Sequence, residues 1–527
     1  MNHLIKITAA AFVAAAASSS ANAAEILVNA DITTSTTWTA NNTYNLQKQI
    51  YVKNGASLTI EPGTIIACTT NLGGSLAVTR GSQIFAMGTK DAPIIMTSKA
   101  DVATWTGGDP KTGVWREACL EWGNLTLMGR AYISEDAIPS NVPTPNSSNF
   151  AIMEGLVEDF PGDPDVRYGG GNDSYNAGTV KYVSLRYGGK VVGLNVELNG
   201  LSVGGIGRNT DLHHIDIMNN VDDGIEIWGG TVNVKYANIW NIGDDSFDID
   251  QGWRGKAQFV CIVQGYSVNA AQGSGVGDNA FELDGAENSD WQPVTTATIY
   301  NATVIGQPGG DHGTAWRDNA RVQFRNCIFM DLGERLIRND NVDGDGGSGY
   351  GHNGTLTWAQ TWTTNYNVFS SVNAPTNPAA FYQAQTSGKL AEMTDSVFYN
   401  NTNANAYTDA TGVGVVPGNA TNNNVVSNSL PIKKIVRGPQ VTKGPLALVM
   451  RPVIKLDPRP DNDATVSVDV APDDGFFTPA KYRGAFGPSK KLDGDSSDAG
   501  NWACGWTAAD AFGYLVCGEQ VRNPTRF

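Results

Sequence analysis

Histidine, basic charge and long apolar runs are all scarce in this sequence. Five histidines in 527 residues leave little for a His-rich zinc site. Lys and Arg number 36 against 52 Asp and Glu, a formal charge of −16, which disfavours nucleic acid and anionic membranes as partners. An acidic polysaccharide would need a local basic patch or bridging cations. Beyond Ala17 no stretch approaches the ~18 apolar residues of a membrane span, so no span is expected in the mature chain. Phosphate loops, nucleophile elbows and cysteine-nucleophile signatures are absent, and helix-forming runs are few.

Glycine is plentiful at 60 residues, with abundant Asn, Thr and Val, a balance that favours short strands joined by tight turns. Lys6, the apolar run Ile7 to Ala17 and the small residues Ala21-Asn22-Ala23 read as an export signal over residues 1–23. The mature protein is therefore expected outside the cytoplasm: secreted, on the outer cell surface or in the periplasm. Of six cysteines, Cys504 and Cys517 lie 13 apart in a turn-rich segment and are the pair expected to bridge. Cys68 and Cys119 are open candidates for another bridge, and Cys261 and Cys327 read as buried thiols.

The centre of the chain repeats itself. Asp222-Asp223-Gly-Ile-Glu226-Ile-Trp228 recurs 22 positions later as Asp244-Asp245-Ser-Phe-Asp248-Ile-Asp250, and 34 later again as Asp278-Asn279-Ala-Phe-Glu282-Leu-Asp284. Ile215, Ala237 and Phe259 keep the same stride, as do Ile217, Ile239 and Cys261. A 22-residue period of short alternating strands marks an all-β solenoid, a parallel β-helix with one repeat per coil. Coils are expected over 24–430. A Pro-rich, acidic excursion (131–177) carries Glu154, Glu158, Asp159, Asp163 and Asp165. Asn301 and Asn326 fall at equivalent coil positions, and 339–354 is a Gly/Asp loop. After Pro431 the texture changes, and 431–527 is expected as an irregular C-terminal cap or small appended domain.

Several phrases carry a resemblance: Leu58-Thr-Ile-Glu-Pro-Gly-Thr64, Arg167-Tyr-Gly-Gly170, Asn199-Gly-Leu-Ser-Val-Gly-Gly205, Gly229-Gly-Thr-Val-Asn233 and Gly252-Trp-Arg-Gly-Lys256. Tyr482-Arg-Gly-Ala-Phe486 and the stretch Trp502 to Trp506 extend it towards the C-terminus. Together with the acidic repeats, these resemble a group of secreted bacterial proteins with a right-handed parallel β-helix, related in fold to the pectate-lyase-like superfamily. The resemblance implies that fold and export. It leaves activity open, since the fold hosts lyases, hydrolases, adhesins and inert scaffolds alike.

If the register holds, Glu226, Asp248 and Glu282 project from one outward face, about 4.8 Å apart. At that distance two unit charges repel by roughly 3 kcal/mol at an effective dielectric near 20. Such a row demands solvent, protons or a cation. In one reading it is a glycan-binding surface or extracellular scaffold stiffened by calcium, which suits carboxylate and backbone oxygens. Asp222, Asp223, Glu226, Asp244, Asp245 and Asp248 would hold the metal, and Trp228, Trp253 and Arg317 would meet a polysaccharide or cell-surface glycan. In the other reading the chain is a polysaccharide lyase or glycoside hydrolase, with Asp248, Asp250, Glu282, Arg254 and Lys256 as its catalytic set. Asn220-Val-Asp222 followed by Gly243-Asp-Asp245 is similar to the acidic pairs of polygalacturonases. The rest of that pattern is missing, and His312 comes too late in the chain to supply it. A plainer account makes Asp222, Asp223, Asp244 and Asp245 turn residues that bond to backbone N–H groups. His213 and His214, adjacent in a strand, are expected on opposite faces.

Overall fold

The computed structural model describes residues 24–134, 150–193, 196–266, 277–286, 292–318, 320–339, 391–402, 422–443, 447–460, 469–488 and 501–518. The expected export signal (1–23) and nearly all of the Gly/Asp loop (339–354) lie outside the described residues.

Period-two alternation sets the architecture, because each strand sends one set of side chains inward and the other out. Nine short strands stack in parallel into one sheet, running from Gln49–Val52 through Ser75–Val78, Leu125–Met128, Leu201–Gly204, Ile225–Trp228, Phe247–Asp250, Phe281–Leu283 and Thr314–Trp316 to Ile337–Asn339. The remaining coil strands form a 17-stranded sheet that wraps the other sides. This is a parallel β-helix, as the repeats imply, and a right-handed one, as the resemblance implies. Inside, Ile225, Phe247 and Phe281 stack in one column and Ile227, Ile249 and Leu283 in the next, all fully buried. Each such side chain contributes about 1.5–3 kcal/mol of transfer free energy.

The longer strands bend at a left-handed residue on every coil: Tyr182, His214, Tyr236 and Phe259, then Asn301, Asn326, Asp395 and Asn423, with φ between 49° and 60°. Asn and Asp tolerate this conformation. The aromatic members instead stack on one another, His214 lying 4.1 Å from Tyr182 and 4.3 Å from Tyr236.

Two expectations fail at these corners. Phe259 does not stack below Ala237, and Cys261 does not follow Ile239; Val260 and Ile262 take those places. One extra residue between Asp250 and Lys256 shifts the register, so Phe259 becomes a corner residue stacked on Tyr236. His213 and His214 do not point apart either. The left-handed turn at His214 breaks the alternation and brings the two Nδ1 atoms to 2.7 Å. Asn301 and Asn326 do share a coil position.

The described parts of the excursion lie on the nine-stranded sheet. Ala151–Ile152 pairs antiparallel with Arg167–Tyr168, and Met153, Leu156, Val166 and Tyr168 pack against the outward residues Ala77, Met128 and Trp228. Gly204 makes room for this, since a Cβ there would meet Met153 Cε at 2.5 Å. Residues 469–488 and 501–518 run along the corner columns of the other sheet. Tyr482 C=O accepts from Asn301, Gly484 N–H donates to Asn326 C=O, and Ala508 N–H donates to the buried Asp216 carboxylate. Cys504 and Cys517 are bonded, while Cys68, Cys119, Cys261 and Cys327 are buried thiols outside any disulfide. No helix among the described residues is long and apolar enough to cross a membrane.

Candidate functional site

Ser202, Glu226, Asp248, Glu282 and Ala315 lie opposite one another on successive strands of the nine-stranded sheet. The carboxylates spaced 22 and 34 apart in the chain are thus vertical neighbours. They point out of the coil but not into water. Glu226 is 7% exposed and Asp248 8%, because the excursion lies over this face and sets Glu154 against Glu226.

Beside this row run two more columns, supplied by the turn before each strand. In one, each side chain accepts the backbone N–H of the next coil. Asn199 Oδ1 accepts from Asp223, Asp223 Oδ1 from Asp245 and Asp245 Oδ1 from Asn279. His312 continues it, its Nδ1 lying 3.0 Å from Asn279 Oδ1. Asp223 and Asp245 therefore satisfy strand-end N–H groups, as the turn-residue account expects, though across coils rather than locally. The other column holds Asp222, Asp244, Asp278 and Asp311, with Asp244 in hydrogen-bonding contact with Asp278 and Asp278 with Asp311.

Carboxyl-to-carboxyl contacts recur through the cluster: Glu154 with Glu226, Glu226 with Asp248, and Asp245 with Glu282. Two ionised carboxylates cannot hydrogen-bond, so each contact requires a proton or a cation between its partners. Burial, followed by the neighbouring acids, raises the proton affinity of the groups named next, while Asp311 is lowered, its burial outweighed by its bonds to His312 and Asp278. Glu154 is pushed up to about 7, and Asp248 and Asp278 to about 8. Asp222, Asp223, Glu226, Asp244, Asp245 and Asp284 are raised well above the carboxylate range for the same causes. Arg317 bonds to Glu282 and lies 3.8 Å from Asp284. Asp248 Oδ1 and Asp284 Oδ1 are buried without a hydrogen-bond partner. Donor oxygens of Asp222, Asp223 and Asp244, and of Asp223, Glu226 and Asp248, converge within 4.8 Å in two groups that share Asp223.

Several expected members lie elsewhere. Arg254 is buried and clamps Asp173 through both guanidinium ends, at 2.5 and 2.8 Å, away from the carboxylate row. Lys256 belongs to the other sheet and pairs with Asp474 at 2.5 Å. The corner between Asp250 and Lys256 turns both cations off the acidic face. Trp253 is wholly buried against Phe247 and donates to Val232 C=O, so it offers no face to a sugar. Trp228 is covered by Tyr168 of the excursion, its ring 6.1 Å away. Asp250 caps the following turn by accepting from Gln251 N–H. Asp284 stands beside it, its N–H bonded to Ile249 C=O.

The candidate sites drawn from the sequence left out Glu154, Asp278, Asp311 and His312. Asp278 and Asp311 carried a usable signal: Asp311-His-Gly-Thr-Ala315 aligns with Asp278-Asn-Ala-Phe-Glu282 at a stride of 33. Glu154 carried none beyond its place in an acidic run, because its contact is made across the fold.

A family model described as a pectate-lyase like beta helix domain matches residues 30–414. No curated protein and no solved structure matches the chain.

Proposed function

The chain belongs to the pectate-lyase like beta helix domain family, and from that premise we propose that it is an exported scaffold that meets polysaccharide and whose buried acidic tract holds a divalent cation. One observation carries this reading: carboxyls touch carboxyls from Glu154 through Glu226 to Asp248, with Asp248 Oδ1 left without a partner. Such an arrangement is stable when protons or a cation neutralise it. At neutral pH a hard cation bound by oxygen atoms does so best, and calcium is the ion that suits an all-oxygen set outside the cell. The two groups that share Asp223 supply the donors.

A second reading, lyase or hydrolase, draws on the same raised carboxyls, since Asp248 and Glu154 keep protons near neutrality and could donate them. Against it stand the removal of Arg254 and Lys256 from the face and the burial of the row beneath the excursion. The test is thermal melting with calcium and with chelator, alongside a screen of acidic and neutral polysaccharides for released products. Calcium is expected to raise Tm by several degrees, and Asp248→Asn to abolish that rise. Product release lost in Asp248→Asn, with no calcium effect on melting, would establish the enzyme instead.

A further inference from the structure

The other sheet carries a row of opposite character. Lys181, His213 and Lys235 lie opposite one another on three successive strands and point outward. They adjoin a pocket of about 500 Å³ between the coil flank and the C-terminal segment, lined by Arg208, His213, His214, Lys235, Tyr236 and Phe476. That volume lies in the ~300–1,000 Å³ range of small-ligand sites. The lining also includes the exposed Asp211.

In a chain with a formal charge of −16, the lining sets the cations Arg208 and Lys235 against one carboxylate, Asp211, with Asp473 and Asp474 close enough to act on Lys235. The Arg208 side chain is 39% exposed and only loosely held, 4.0 Å from Asp173. Lys235 donates at 2.6 Å to both Phe476 C=O and Thr478 Oγ1, which leaves one of its three N–H donors. His213 Nε2 lies 3.7 Å from Asp211, and the two Nδ1 atoms share one hydrogen bond at 2.7 Å, so that of the two Nε2 atoms one donates and the other accepts in either tautomer. Desolvation holds both imidazoles neutral at pH 7, His214 down to about 3. The pocket therefore combines guanidinium and ammonium donors with a neutral acceptor and the aromatic edge of Tyr236.

We propose that this pocket binds the acidic end of a saccharide, its carboxylate or sulfate on Arg208 and Lys235 and its hydroxyls on the His213–His214 pair. The inference is independent of the cation tract, which belongs to the other sheet. Glucuronate, glucose 6-sulfate and glucose, offered to the protein in EDTA and followed by saturation-transfer NMR and calorimetry, test it. At least one of the anionic sugars is expected to bind ten-fold or more tighter than glucose, and which one does so names the group. Arg208→Gln, at an exposed site that leaves the fold intact, is expected to weaken that binding at least ten-fold. Lys235→Met should do the same, and Asp248→Asn should leave it unchanged. Equal binding of glucose, no anion binding at millimolar concentration, or full affinity in Arg208→Gln would overturn the proposal. So would binding that needs calcium and is lost in Asp248→Asn, which would move the ligand to the acidic tract.

Discussion

Asp223 Oδ1 accepts the backbone N–H of Asp245 at 2.9 Å, one coil further along. This bond separates two kinds of acid in the tract. Asn199 occupies the same column and accepts Asp223 N–H through the same oxygen, so this role needs an acceptor and no charge. Asp223→Asn should therefore keep the coil contact, whereas Asp223→Ala leaves a buried N–H unpaired at about 1–3 kcal/mol. Chemical denaturation in chelator, where no cation contributes, distinguishes them. Equal destabilisation by both variants would deny the column its structural role.

The acids with raised proton affinity give stability a definite pH slope. Asp248 and Asp278 titrate near 8 and Glu154 near 7 in the folded chain, against about 3.9 and 4.3 when unfolded. Above pH 4 the unfolded chain loses protons that the folded chain keeps. Their contribution is thus full below about pH 4 and lost as pH rises through 7–8. In chelator, Tm should fall by several degrees between pH 5 and pH 8. Calcium should shrink that fall by taking the place of the protons. A flat profile in chelator, between those limits, is incompatible with the buried acidic tract.

Arg254 offers a direct contrast between structural and catalytic roles. Its guanidinium is buried and doubly bonded to Asp173, so Arg254→Ala strands a buried carboxylate and should cost about 3–5 kcal/mol. The calcium-induced rise in Tm should survive, because Arg254 does not face the tract. A variant of normal stability that lost a polysaccharide-cleaving activity would return Arg254 to the chemistry.

The vertical row of Glu226, Asp248 and Glu282 was legible because period-two alternation and a constant stride suffice to align it. The same reasoning misplaced Phe259 and Cys261, since one inserted residue before Lys256 alters no local pattern yet shifts every later side chain. Arg254 and Lys256 are close to Asp250 in the chain, but a coil corner separates them from its face. Glu154 and Asp173 reach the coils from an excursion whose landing place depends on packing over Gly204 and Trp228. Their partners Glu226 and Arg254 lie 72 and 81 positions away in the chain. No periodicity reports contacts of that kind.

Asn301 joins a backbone requirement to the anchoring of the C-terminal segment. Its φ of 57° suits Asn better than any β-branched or bulky residue, and its Nδ2 donates to Tyr482 C=O at 2.8 Å. Asn301→Ala loses both features, about 1 kcal/mol of left-handed strain and about 1 kcal/mol of hydrogen bond. Asn301→Gly relieves the strain and loses the anchor, and both variants lose the bond that Asn301 Oδ1 accepts from Gln258. Both variants should expose the segment around Tyr482 to limited proteolysis, with the Ala variant also melting lower than the Gly variant. Because Gly484 N–H still bonds to Asn326 C=O, the segment should loosen rather than detach, and cleavage should precede global unfolding. Wild-type resistance in Asn301→Gly would mean that this corner column turns the chain without holding the segment in place.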